Sequence, residues 1–216
     1  MSLSALGHAA EPAVTILALG DSITAGAPAF RSPAEVPPAG AGNPESQYAY
    51  WIRQKHPQWR ILNRGISGQT TADILVRLEA ELNQAQPAMV ILMAGVNDVY
   101  RGYPQETILK NLQALYENIR RRGLPLMALT ILPYREITPE KFERLQAVNA
   151  WIAQYAQQNG LGFCDTFSVM RAPDNPPRLA RTKDGLHPDP QGYRILGEAV
   201  NSALENWEPL DKITAV

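Results

Sequence analysis

Ser22, Asp184 and His187 are the residues of this chain whose types and spacing suit attack on a carbonyl. A serine hydroxyl becomes a useful nucleophile when a base takes its proton and an acid orients that base. Asp184-Gly185-Leu186-His187-Pro188 sets a carboxylate three residues before a histidine, with a glycine between, which fits one tight turn. In such a turn Asp184 can accept from one ring nitrogen of His187 and leave the other facing Ser22. Each piece also has a plainer reading. Asp21 and Ser22 can simply cap a helix after a strand, and His187 can cap the last helix. Of the other histidines, His8 stands near the N-terminus. His56 precedes Pro57 at a helix end, a capping or solvent position.

Ester hydrolysis also needs donors for the oxyanion. Gly68, in Gly65-Ile66-Ser67-Gly68-Gln69, can bring a backbone N–H close to a ligand because it lacks a side chain. Asn97, in Gly95-Val96-Asn97-Asp98, can offer its side-chain NH₂. Ser22 adds its own backbone N–H. The alternatives are a turn glycine at Gly68 and a helix N-cap pair at Asn97-Asp98. Tyr100 and Tyr134 are candidate pocket walls, or surface packing.

The elements that must carry these residues alternate. Val14 to Leu19 is an apolar run of buried-strand length, and Gly20-Asp21-Ser22 follows it. Residues 27–47 are proline-rich and irregular, either a wall or lid over the site or a surface insertion. Tyr48 to Lys55 reads as a helix and Arg60 to Asn63 as a short strand. Thr70 or Thr71 caps a helix with Ile74, Leu75, Leu78 and Leu82 inward. Ala88 to Ala94 is a strand, and a helix from about Pro104 to Arg121 follows. Leu126 to Leu132 is a fourth strand. A helix opens at Thr138-Pro139, with Phe142, Leu145, Val148 and Ile152 inward, and ends at Gly160. Gly162 to Asp165 is a fifth strand. A last helix spans about Pro190 to Leu204, with Ile195, Leu196, Val200 and Leu204 inward. This alternation predicts a three-layer α/β/α sandwich around a flavodoxin-like five-stranded parallel sheet, order 2-1-3-4-5. The first three strands are then neighbours, and Ser22, Gly68 and Asn97 leave one carboxyl edge side by side.

At 216 residues the chain suits one domain, read as 13–208, with a flexible N-terminus at 1–12 and a tail at 209–216. Its formal net charge of -1 shows no electrostatic footprint for nucleic acid. No apolar run reaches the length of a membrane span. The single cysteine, Cys164, excludes an intrachain disulfide and reads as a small buried hydrophobe. Residues 1–12 do not read as an intact signal peptide. The compartment stays open between the cytoplasm and, after removal of a signal peptide, the periplasm or exterior. Arg171, Arg178, Arg181 and Lys183 make one loop basic, as a solvated face or as a site favouring an anionic group. Neither Walker A, nor Gly-x-Gly-x-x-Gly, nor Gly-x-Ser-x-Gly is present.

Four blocks together resemble the SGNH hydrolase superfamily, also called GDSL esterases/lipases. They are Gly20-Asp21-Ser22-Ile23-Thr24, the Gly68 block, Gly95-Val96-Asn97-Asp98 and Asp184-Gly185-Leu186-His187-Pro188, in the family's order. The resemblance implies Ser22 as nucleophile, His187 as base and then acid, and Asp184 as orienter. It implies Ser22, Gly68 and Asn97 as the oxyanion hole, with no metal or cofactor. One departure is Gln69, where close relatives often carry an acid. The implied substrate is a small-molecule ester of a short acyl or acetyl group. A lysophospholipase or thioesterase is the alternative. A flavodoxin-like ligand-binding domain and a scaffold without catalysis are the non-enzyme readings.

Overall fold

Ile16 to Leu19 expose no surface, and they form the middle of the central strand, β1 (Val14–Gly20). The computed structural model describes residues 14–173 and 178–207, so the stretches 1–12 and 209–216, and His8, lie outside the described residues. After β1 come α1 (Ser22–Ala25), the short strands β2 (Phe30–Arg31) and β3 (Ala41–Gly42), and α2 (Tyr48–Lys55). Then follow β4 (Trp59–Gly65), α3 (Thr71–Ala85), β5 (Met89–Met93), α4 (Val96–Arg101) and α5 (Gln105–Arg121). The chain continues through β6 (Leu126–Leu129), α6 (Pro139–Asn159), β7 (Gly162–Cys164), α7 (Thr166–Met170) and α8 (Pro190–Glu205).

The five main strands lie in the order β4-β1-β5-β6-β7, and every pair is parallel. In chain order this is 2-1-3-4-5, as expected. Helix α5 packs on α3 and on α6, and α2 packs on α8, which gives the three layers. Register brings three strand ends level: Gly20 lies opposite Gly65 on β4 and opposite Met93 on β5.

Local chemistry explains the boundaries. Thr70 and Asp73 form a reciprocal capping box at the start of α3. Thr138 caps α6 ahead of Pro139, and Gly160 closes that helix in the left-handed region at φ 63°. Ile74, Leu78 and Leu82 are buried on α3, and Leu145, Val148 and Ile152 on α6. Phe142 and Ile195, expected inward, are only half-buried.

Several expected bounds are corrected. The second strand is Trp59–Gly65 rather than Arg60 to Asn63, because pairing with β1 continues through Gly65. The third and fourth strands are shorter than their apolar runs, ending at Met93 and Leu129. Residues such as Ile131 and Leu132 are buried beyond the last ladder bond, so hydrophobicity outlasts pairing there. The 27–47 stretch is ordered. Its buried Phe30 sits in the β2–β3 pair, Ser32 Oγ bonds Gly65 O at 2.5 Å, and Glu35 accepts from Ser67 N at 2.8 Å. It thus braces the β4 edge and the turn after it. Among the described residues, no helix is long and apolar enough to cross a membrane.

Candidate active site

Gly20 ends β1 at a place where a Cβ would collide with Thr24 Oγ1 and Met93 O. Its bare backbone lets the chain turn at once into α1, a single turn closed by Gly26 at φ 108°. Asp21 is the N-cap and accepts from Ile23 N at 2.9 Å. The capping reading therefore holds for Asp21, while Ser22 is the first helical residue and has other work. Its Oγ lies 3.0 Å from His187 Nε2.

The partner turn is wired internally. Asp184 Oδ2 meets His187 Nδ1 at 2.7 Å, and Oδ1 accepts from His187 N at 2.8 Å and Leu186 N at 2.9 Å. Thr182 Oγ1 accepts from Gly185 N at 2.9 Å, and a Thr182–Pro188 bridge closes the base of the turn. Arg135 N donates to Gly185 O at 2.7 Å, which fastens the turn to the loop after β6. Burial raises the Asp184 carboxyl, but the bonds from His187 and Leu186 outweigh it and hold the pKa at about 2. Asp184 is therefore ionised at neutral pH and selects the His187 tautomer with its proton on Nδ1.

Gly68 adopts φ 77°, and Arg101 Nη2 donates to its carbonyl at 2.7 Å. Asn97 sits in the first turn of α4, nine-tenths buried, and its Nδ2 donates to Gln69 O at 2.9 Å. Gly95, not the Asn97-Asp98 pair, is the N-cap of α4. Asp98 instead turns back and accepts from Thr71 N at 2.9 Å and Thr71 Oγ1 at 2.6 Å, tying α4 to α3. Ser22, Gly68, Asn97 and the Asp184–His187 turn thus come from four segments to one sheet edge.

Beneath this edge lies a buried polar layer. Asp21 is fully buried, and its Oδ2 has no hydrogen-bond partner among the described residues. Burial lifts its carboxyl to about 7; Asp98 adds to the rise, while the Ile23 N–H and Arg77 oppose it. Thr24 Oγ1 meets Tyr48 Oη at 3.3 Å, and Tyr193 Oη donates to Ala27 O at 2.8 Å.

The tyrosines divide. Tyr134 is buried and Tyr100 is half exposed, their rings edge-to-face at 5.4 Å. Lys141 Nζ stands over Tyr100 and donates to its carbonyl at 2.6 Å. Arg171, Arg178, Arg181 and Lys183 are all exposed. His56 is the C-cap of α2, as expected, its N donating to Ile52 O at 3.0 Å, while its half-buried ring stacks on Trp59 and meets Asn201 Oδ1 at 2.7 Å. Cys164 is buried, its thiol pushed up to about 12. Among the described residues, no group of three His, Cys, Asp or Glu side chains converges to hold a metal ion.

Sequence reading missed Arg77 and Arg101. Arg77 flanks the inward stripe of α3 and pairs with Glu81 at 3.0 Å, a spacing of four residues. The charged pair at that spacing is its one sequence signal, and it marks a helix face rather than what the guanidinium reaches.

A parallel α/β/α sheet with this serine, histidine and aspartate at its carboxyl edge has the form of a hydrolase. Residues 18–195 match the GDSL-like lipase/acylhydrolase family, and the chain belongs to it. It is a carboxylic ester hydrolase. The chain is 27% identical over 205 residues to an arylesterase of Vibrio mimicus, covering 94% of this chain and 92% of that one. It is 28% identical over 154 residues to an acetylxylan esterase of Geobacillus stearothermophilus, covering 65% and 69%. A solved GDSL-like lipase of Bacteroides thetaiotaomicron shares 26% identity and a TM-score of 0.69 over 89% of this chain and 88% of that one.

Proposed function

We propose that the chain hydrolyses short-chain acyl esters, acetyl esters included, by a two-step acyl transfer on Ser22. The observation that carries this reading is the unbroken line from Ser22 Oγ through His187 to Asp184, at 3.0 and 2.7 Å. His187 takes the Ser22 proton at Nε2 as Oγ attacks the ester carbonyl. Asp184, held ionised, stabilises the imidazolium that forms. The oxyanion rests on the backbone N–H groups of Ser22 and Gly68 and on the Asn97 amide. His187 returns its proton to the leaving alcohol. It then takes a proton from water, whose oxygen attacks the acyl carbon, and hands that proton back to Ser22 as the acid departs.

The short-chain preference draws on the names of two relatives, an arylesterase and an acetylxylan esterase. It also draws on the polar bonds that join Asn97 to Gln69 and Arg101 to Gly68 at the strand ends beside β1. Steady-state rates on p-nitrophenyl esters of increasing acyl length test it. Acetyl and butyryl esters are expected to turn over fastest. A preference for long-chain esters would replace this reading with the lipid-hydrolase one. No turnover of any ester by the wild type would end it.

A further inference from the structure

Asn97 has two amide protons, and one of them donates to Gln69 O. That carbonyl can only accept, so it fixes which face of the amide is NH₂. The second proton is then directed by the same plane. The position of Gln69 therefore decides where the proposed oxyanion donor points.

Gln69 is held in turn by Arg77, whose Nε donates to Gln69 Oε1 at 2.7 Å. The other end of the guanidinium reaches two strand ends. Nη2 donates to Gly20 O at 3.0 Å and to Arg64 O at 2.8 Å, while Nη1 meets Glu81 at 3.0 Å. Gly20 also accepts from Ile66 N at 3.2 Å. One planar group thus spans the exit of β1 just ahead of Ser22, the exit of β4, and the turn that carries Gly68. Its delocalised fork has fixed geometry, so these three segments share one set of distances.

We infer that Arg77 and Gln69 are positioning residues for the oxyanion hole, aligning the Asn97 amide against Ser22. This rests on the reading of Ser22 and Asn97 under Proposed function. The Gln69 side chain does not touch the substrate in this scheme; it transmits the orientation of Arg77 to its own carbonyl and so to Asn97. Misplacing a catalytic donor by a fraction of an ångström lowers the rate of the chemical step while leaving substrate binding largely intact.

The test is a double-mutant cycle on p-nitrophenyl acetate with Gln69→Leu, Asn97→Ala and the pair. Gln69→Leu removes the side-chain acceptor but keeps the backbone carbonyl and the other bonds of Arg77. It is expected to lower kcat about tenfold with KM within about twofold. In the Asn97→Ala background the same change is expected to have no further effect on kcat, because the amide through which it acts is gone. Gln69→Met repeats the measurement should the leucine variant not fold. Unchanged kcat in both foldable Gln69 variants overturns the inference. So does an undiminished effect of Gln69→Leu when Asn97 is already alanine, which would mark a structural role alone. Asn97→Ala without any loss of rate overturns instead the oxyanion reading beneath it.

Discussion

Gly65 lies against the backbone of Ala25 so closely that a Cβ on it would sit far inside van der Waals contact with Ala25 N. The contact joins the end of β4 to the single turn that carries Ser22. Gly65→Ala must push α1 away from β4, and overpacking of this kind destabilises by about 1–3 kcal/mol. Because α1 bears the serine, kcat is expected to fall further than stability alone explains. Chemical denaturation and ester turnover on the same preparation check both. Wild-type stability in the variant would show that the strand end has room to relax.

Removing members of the proposed triad grades their roles. Ser22→Ala and His187→Ala are each expected to lower kcat by roughly 10⁶-fold, since the two act as one unit. Asp184→Asn is expected to lower it by roughly 10⁴-fold, by releasing the His187 tautomer. Circular dichroism melts should show Ser22→Ala folded as the wild type. Substantial turnover by Ser22→Ala would assign the nucleophile elsewhere.

Asn97→Ala removes one of three proposed oxyanion donors. A loss of roughly 10²–10³-fold in kcat is expected, with KM little changed. Single-turnover acylation rates isolate the step concerned. A mutant that raised KM and spared kcat would make Asn97 a binding group instead.

Asp21 makes the fold sensitive to pH. Its carboxyl titrates at about 7 because it is buried, against about 3.9 in an unfolded chain. Between those values the folded chain keeps a proton that the unfolded chain has lost. Stability from this group therefore falls as pH rises from about 4 towards 7. Asp21→Asn removes the slope. Relative to wild type, its melting temperature should be higher at about pH 8 than at about pH 5. An equal difference at both would locate the titration in another group.

Thr70→Ala removes the side-chain half of the capping box on α3, the Thr70 Oγ1 that accepts from Asp73 N, and keeps the bond from Thr70 N to Asp73 Oδ2. A loss of about 1 kcal/mol in unfolding free energy is expected. Equilibrium urea titration measures it.

Much of this was legible because local chemistry and tertiary position agree. Val14 to Leu19 is apolar but for the half-buried Thr15 because β1 has neighbours on both edges and helices on both faces. The Asp184–His187 pair was readable because its geometry fits within one turn. The placement of Gly68 and Asn97 after neighbouring strands was readable once three strand ends were set side by side. Arg77 was not, since periodicity reports which face a residue occupies and not what a long side chain reaches. Its bonds to Gly20 O and Arg64 O cross 57 and 13 residues. The 27–47 stretch read as irregular because two-residue strands leave no alternation to detect.

The turn from Thr182 to Pro188 has a consequence for how such a molecule can be altered. Its carboxylate, imidazole, hydroxyl clasp and closing bridge are all satisfied from within the same seven residues. The acid and base therefore travel together as a cassette, anchored to the body through Arg135 and delivered by the start of α8. The loop between α7 and this cassette can lengthen, shorten or change charge while the proton relay keeps its internal shape.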